Sequence, residues 1–215
     1  MSVGIADGAG WLAIAGTDKL SRMGHESVRM RRSLILVTGE EGAGKSTVMS
    51  ALLPRTPGGA KIDAEDVGQV NPFNFDQAFL DLLWDNVTSV IANYWAAGYP
   101  TVITGSLLDS DTHASFQQFR TRLPNDPDVY VVHLSASKPV RDQRRIDRAK
   151  PSTKEWRDRV DASYPAGDTS LRDNADDYRY IPVNNEAQQI TETLEMIMQA
   201  IPEIYSTSDL SDPAT

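Results

Sequence analysis

Cysteine is absent from the chain, which excludes disulfides and thiolate metal sites. Histidine is almost as scarce. His25, His113 and His133 form no metal-ligand spacing, and His133 alternates within an apolar strand pattern, as a structural histidine does. No apolar run approaches the roughly 20 residues that a membrane span needs. Residues 10–16 (GWLAIAG) are apolar, but no charged segment precedes them, which argues against a signal peptide. Basic residues are outnumbered: the formal net charge of −9 leaves no broad positive face for a nucleic-acid backbone. These absences point to a cytoplasmic protein with neither a membrane nor a nucleic-acid partner. Small anionic ligands stay open, because a local nest of backbone N–H groups binds phosphate whatever the net charge.

The 215 residues, 40% of them hydrophobic, suffice for one α/β domain with a full core but not for two. Residues 1–32 are rich in Gly, Ala and Ser, show no sustained period, and end in Arg29, Met30, Arg31 and Arg32. They read as an N-terminal extension, disordered or loosely docked. The domain pattern occupies residues 33–205, and residues 206–215 read as a disordered tail. Within the domain, strand and helix patterns alternate. The apolar run at 34–37 predicts a parallel strand buried on both faces. A helix over 45–53 follows, stopped by Pro54, and a short strand at 60–62 leads into Asp63. Residues 76–97 predict a long helix with Phe79, Leu83, Val87, Val90, Ile91 and Tyr94 along one stripe, ended by Gly98 and Pro100. Further strands are expected at 101–104, 129–134 and 179–183, the last despite Pro182. A helix carrying Phe116 and Phe119 follows the third strand, and a final helix sets Ile190, Leu194, Ile197 and Ile201 on one face. The alternation predicts an α/β fold of three layers, a parallel sheet of about five strands with helices on both faces.

Gly39, Glu40, Glu41, Gly42, Ala43, Gly44, Lys45 and Ser46 satisfy the pattern G-x-x-x-x-G-K-[ST] between a buried strand and a helix, the context that the pattern requires. Glycines let successive N–H groups turn inward toward phosphate oxygens. The following helix, with Thr47 in its first turn, adds the positive end of its dipole at the same place. Lys45 can reach the β- and γ-phosphates as a point charge, and the Ser46 hydroxyl can ligate Mg²⁺. ATP with Mg²⁺ is therefore the expected ligand.

Two signatures of other phosphate-loop classes are missing. N-K-x-D, which reads guanine in GTPases, does not occur, and Asn184, Asn185 and Glu186 do not replace it. No strand ends in the Asp-Glu pair of many motor-type ATPases, since the third strand runs into Thr104, Gly105 and Ser106. The acidic candidate stands after the second strand, in Asp63, Glu65 and Asp66. Strand C-termini of open α/β sheets line the ligand crevice, which singles out Asp63. After the fourth strand, Ser137 and Pro139 suit a helix start. Spacings of three and four then place Arg141, Arg144, Arg145 and Arg148 on one helical face. Local pairs to Asp142 and Asp147 are the alternative use for some of them.

A phosphate loop near the start of the domain, an acidic D-x-[DE] after the second strand and a late arginine-rich helix together resemble small-molecule kinases of the shikimate kinase, gluconate kinase and chloramphenicol phosphotransferase type. The resemblance runs over residues 33–201. It implies the nucleoside-monophosphate-kinase-like fold and transfer of the γ-phosphoryl of ATP to a small-molecule hydroxyl or phosphate. It also implies that Asp63 orients Mg²⁺ or takes the acceptor's proton, and that Glu65 or Asp66 holds the acceptor. By the same resemblance Arg144, Arg145 or Arg148 closes over ATP as part of a lid, and residues 184–188 lie where adenine is contacted. The glycine-rich turn after the third strand of shikimate kinases is matched here only by Gly105. Two functions of other classes stay open: a regulator that uses ATP or GTP as a conformational signal, and an interaction protein that has kept the loop without turnover.

Weaker features complete the reading. Phe73, in the segment Asn71-Pro72-Phe73-Asn74-Phe75, could wall an acceptor site, or Phe73 and Phe75 could belong to the core. Trp84 and Trp95 are expected to pack within the long helix. Ser152 and Glu155 frame a capping box, hence a helix start.

Overall fold

All six residues of β1 (Ser33–Thr38) are buried, so this strand needs a neighbour on each edge and a covering layer on each face. The computed structural model supplies both. It describes residues 31–206 except 106–111, 150, 165, 166 and 188. The expected N-terminal extension lies outside the described residues apart from Arg31 and Arg32, and so does the expected tail apart from Ser206.

The elements after β1 are α1 (Lys45–Leu52), β2 (Gly59–Asp63), α2 (Ala64–Val67), α3 (Gln77–Ala96), β3 (Thr101–Gly105), α4 (His113–Arg120) and β4 (Asp128–Ser135). There follow α5 (Lys138–Ile146), α6 (Lys154–Ser163), α7 (Ser170–Asp173), β5 (Arg179–Asn184), α8 (Ile190–Ala200) and α9 (Pro202–Tyr205). A single 3₁₀ turn, Leu53–Arg55, holds Pro54 and ends the first helix where the sequence places its stop. The five strands run parallel in the order β2-β3-β1-β4-β5. Pro182 is accommodated in β5, which among the described residues is an edge strand with ladder bonds on one side, to β4.

Side chains alternate across the sheet, and each face has its own core. Leu34, Leu36, Ile62 and Val102 meet Leu83, Trp84, Val87 and Ile91 of α3 and Phe116 and Phe119 of α4. Ile35, Val37 and Ile103 meet Val48, Met49 and Leu52 of α1 and Leu194 and Ile197 of α8. Trp84 and Trp95 are buried packing residues, as their helical spacing predicts, and the Arg122 guanidinium stacks 4.9 Å from the Trp84 ring. Asp76 caps α3 by accepting a hydrogen bond from the Phe79 N–H.

The capping box expected at Ser152 is displaced by one residue. Thr153 is the N-cap of α6, its hydroxyl accepting from the Trp156 N–H at 3.2 Å. Glu155 therefore stands at the second helical position, where its carboxylate accepts from the Thr153 side chain, and Ser152 buries a hydroxyl with no hydrogen-bond partner among the described residues. A threonine beside the serine competes for the same role, and local pattern alone does not choose between them.

The strand register brings the C-terminal ends to one edge. Val37 and Asp63 both lie opposite Gly105, Thr38 opposite His133, and Ser135 opposite Asn184. β1 is the switch point, with the β3 and β2 neighbours on one side and β4 and β5 on the other, so the loop leaving it opens into the crevice.

Candidate active site

The loop after β1 takes a path that requires its glycines. Gly39, Gly42 and Gly44 have φ of +126°, +90° and +105°. A Cβ on Gly39 would lie 2.2 Å from the Leu134 carbonyl oxygen, and one on Gly42 would lie 2.7 Å from that of Arg141. A Cβ on Gly44 would lie 2.7 Å from the Asn185 side-chain nitrogen, inside the cradle itself. Ala43 N–H donates to the Glu40 carbonyl at 3.1 Å, and Val48 N–H to that of Gly44 at 3.0 Å, so the loop passes directly into α1. Lys45 folds back over the loop, its Nζ donating to the Gly39 carbonyl at 2.6 Å and the Glu40 carbonyl at 3.3 Å.

Ser46, in the first turn of α1, donates to the Asp63 carboxylate at 3.0 Å. The contact follows from the sheet's alternation: Asp63 shares the face of Ile103 and Val37, which is the face that α1 covers. Its other carboxylate oxygen caps α2 by accepting from the Glu65 N–H at 3.3 Å. A hydroxyl and a carboxylate brought together at a phosphate loop fit Mg²⁺, which takes hard oxygen ligands.

The arginines of α5 lie against the loop, and Arg148, expected on the same helical face, instead follows the helix end at Ile146 and reaches the loop from the bend beyond it. Arg141 pairs with Glu40 at 2.9 Å, and Arg148 with Glu41 at 2.9 Å. Arg144 donates to the Asn185 carbonyl at 2.6 Å and to the Ala43 carbonyl at 3.4 Å. Arg145 is wholly buried beneath the loop among Glu41, Asp142 and Asp161. Asp161, from α6, also accepts from Arg141 at 2.9 Å and Lys138 at 2.8 Å. Burial alone would raise the Asp161 pKa, but hydrogen bonds from Arg145, Lys138 and Arg141 outweigh it and hold the carboxyl well below its ordinary range.

A cavity of about 590 Å³ opens over these groups, lined by Glu41, Gly42, Gly44, Lys45, Ser46, Thr47, Glu65, Arg144, Arg148, Asn185 and Ile190 among others. Glu65, Arg144 and Arg148 thus meet one cavity with the phosphate loop. Arg145 does not line it. Asp66 is exposed on α2. Phe73 is 56% and Phe75 62% exposed, so neither is core; Phe73 instead sets its ring edge-on to Phe79, 5.0 Å between centroids. Asp147 pairs with Gln143 and with none of the arginines, while Asp142 does pair with Arg145. His133 hydrogen-bonds Thr38 at 3.1 Å and stacks on Tyr180, in keeping with a structural role.

Two residues of the site make contacts that the sequence does not announce. Asn185 is buried, donates to the Ala43 carbonyl at 2.7 Å and accepts from the Thr193 hydroxyl at 3.1 Å, pinning the phosphate loop to the start of α8. Its neighbourhood was marked only by position. Asp161 reaches the arginines from the next helix, 16 and 20 residues away, at a spacing that no local pattern encodes.

Fold and loop together define a three-layer α/β domain of the P-loop NTPase class. No protein-family model matches the chain, and no curated protein does. Among solved structures the chain is similar to a sugar kinase from a Janibacter species, with 16% identity and a TM-score of 0.61 over 80% of this chain and 95% of that one. It is similar to a gluconokinase from Sinorhizobium meliloti, with 16% identity and a TM-score of 0.59 over 82% of this chain and 95% of that one. A thymidylate kinase from Candida albicans follows the same fold, with 16% identity and a TM-score of 0.51 over 80% of this chain and 92% of that one. Likeness at this identity is likeness of fold, and function has to be argued from the site.

Proposed function

We propose that this chain is an ATP-dependent phosphotransferase that moves the γ-phosphoryl of ATP to a small-molecule acceptor. The observation that carries the reading is the hydrogen bond from Ser46 to Asp63. A nucleotide switch also sets a strand carboxylate against this hydroxyl to hold Mg²⁺, but here the acid ends the second strand, beside Glu65, where a transferase needs a carboxylate for the acceptor. The kinases that share the fold support the same class.

In this reading the amides of Gly42 to Ser46 and the Lys45 ammonium hold the phosphates, and Asn185 and Ile190 flank the nucleoside. Ser46 and Asp63 would hold Mg²⁺, which when bound neutralises phosphate charge. Arg144 and Arg148, on the wall of the cavity, face the transferring group, and Arg145 holds α5 in place beneath them. The acceptor oxygen attacks the γ-phosphorus, the bond to the β-bridging oxygen breaks and ADP leaves. The acceptor's proton passes to Glu65, or to Asp63 if that carboxylate is not the one holding Mg²⁺. Positioning and charge neutralisation account for most of the acceleration.

The test is Mg·ATP turnover against a panel of hydroxylated metabolites, nucleosides and antibiotics, read as ADP formed. Acceptor-dependent ADP release that disappears in Lys45→Ala is the expected result. Slow hydrolysis that no acceptor stimulates would mark a regulatory nucleotide binder instead.

A further inference from the structure

The cleft is divided by charge. On the side of β4 and β5 it carries Arg144 and Arg148, the latter paired with Glu41 at 2.9 Å, with Lys45 at its floor. On the side of β2 and β3 the only charged side chain lining the cavity among the described residues is Glu65. That asymmetry extends through the sequence: from Ile62 to Thr112 there is no Lys, Arg or His, against seven Asp and one Glu. The described residues of this stretch supply the C-terminal ends of β2 and β3 and all of α2 and α3. The nearest basic residues flanking it are Lys61 and His113. Lys61 precedes Asp63 by two residues on β2, one pleat repeat back from the crevice edge, roughly 7 Å. Arg122, which reaches α3 from outside the stretch, is spent on Asp81 at 2.6 Å and Asp85 at 3.2 Å.

The same side bears apolar groups that the core does not use. Phe73 and Phe75, both more than half exposed, cluster with Phe79 at centroid distances of 5.0 to 6.4 Å, and Val70 beside them is exposed. At the penultimate position of β3, Thr104 buries a hydroxyl that has no hydrogen-bond partner among the described residues. In the register it sits beside Ile62, one step from the pair of Gly105 and Asp63.

Resting on the phosphotransferase reading, we propose that the acceptor is a hydroxylated compound with no anionic group, neutral or cationic, and with an apolar or ring-bearing face. With the nucleotide on the β4 and β5 side, the acceptor has to approach from β2 and β3. A sugar acid or a nucleoside monophosphate brought there would set its own charge against Asp63, Glu65 and Asp66 with no cation from this stretch to pair it. Like charges a few ångströms apart in a partly screened cleft repel strongly enough to cost on the order of 100-fold in affinity. A cationic or neutral acceptor meets no such opposition, and an apolar face gains from the exposed phenylalanines.

The test uses the full chain in two stages. Mg·ATP must first raise the thermal unfolding midpoint; no shift would sink the phosphotransferase reading itself, and this proposal with it. A chain that passes is then assayed for ADP release and for phosphorylated product by mass, over acceptors matched in pairs. The pairs are nucleosides against nucleoside monophosphates, a hexitol against a hexonic acid, and aryl diols and aminocyclitols against carboxylated counterparts. The uncharged or cationic member of at least one pair should be turned over, with kcat/KM about 100-fold above its anionic mate. The proposal is overturned, with the phosphotransferase reading intact, if anionic members are turned over equally or better. It is also overturned if a chain that binds Mg·ATP turns over no neutral or cationic member. Phe73→Ala should raise the acceptor KM about tenfold and leave the KM for ATP nearly unchanged; an unchanged acceptor KM would remove the apolar part of the claim.

Discussion

Asp161→Asn removes the charge on which three cations of the α5 region converge. The carboxylate is 14% exposed and accepts from Arg141, Arg145 and Lys138 at 2.8 to 3.1 Å, and Arg145 itself is fully buried. Breaking a buried ion pair costs about 3–5 kcal/mol, chiefly because the partner charge stays buried without compensation. Asp142 and Glu41 still face Arg145 in the variant, which places the loss at the lower end, about 3 kcal/mol. With a urea m-value near 2 kcal/mol/M, the unfolding midpoint should fall by about 1.5 M at pH 7. The pH dependence has a definite sign. Because the folded-state pKa of Asp161 is depressed, the unfolded chain binds the proton first as pH falls. The stabilisation is therefore complete above the unfolded value near 3.9 and fades below it. Urea titrations of both proteins from pH 7 to pH 3 should show the gap narrowing toward acid. A gap under about 0.5 kcal/mol at pH 7 would refute the burial argument, and a gap constant down to pH 3 would refute the charge argument.

Gly44→Ala would set a methyl group 2.7 Å from Asn185 at a backbone φ of +105°; calorimetry should find ATP affinity lowered at least about tenfold. Asn185→Ala removes two buried hydrogen bonds, to Ala43 and from Thr193, and should lower stability by about 2 kcal/mol in the same urea titration. Asp63→Asn keeps size and hydrogen-bonding capacity but loses charge, so kcat should drop by about 100-fold while the Kd for ATP moves little; equal losses in both would place Asp63 in nucleotide binding alone. Arg144→Ala or Arg148→Ala should lose turnover with lysine rescuing poorly, whereas Arg145→Ala should show its main loss in stability. Near-normal turnover in both Arg144→Ala and Arg148→Ala would assign charge neutralisation to other side chains.

Much of this protein is written in local pattern. The continuous apolar run at Leu34 to Val37 dictates a strand covered on both faces, and Gly39, Gly44, Lys45 and Ser46 dictate what the chain does after it, because only glycine tolerates that backbone path. The stripe on α3 and the strand–helix alternation lead in the same way to a parallel sheet with helices on both sides. Spacing also placed Arg141, Arg144 and Arg145 on α5, whereas Arg148, expected on the same helical face, falls after the helix has ended at Ile146. What spacing could not decide is which of them meet the cavity. That depended on Asp161 arriving from α6 and on Glu40 and Glu41 turning toward α5, contacts between elements that share no sequence period. Tertiary structure likewise brought Asp63 to Ser46 by strand register, drew Asn185 under the phosphate loop, and left Phe73 on the surface. Backbone conformation and amphipathic faces are decided within a few residues of one another, so sequence fixes them locally. Charge pairing across elements is decided only when burial forces each ion to find its partner.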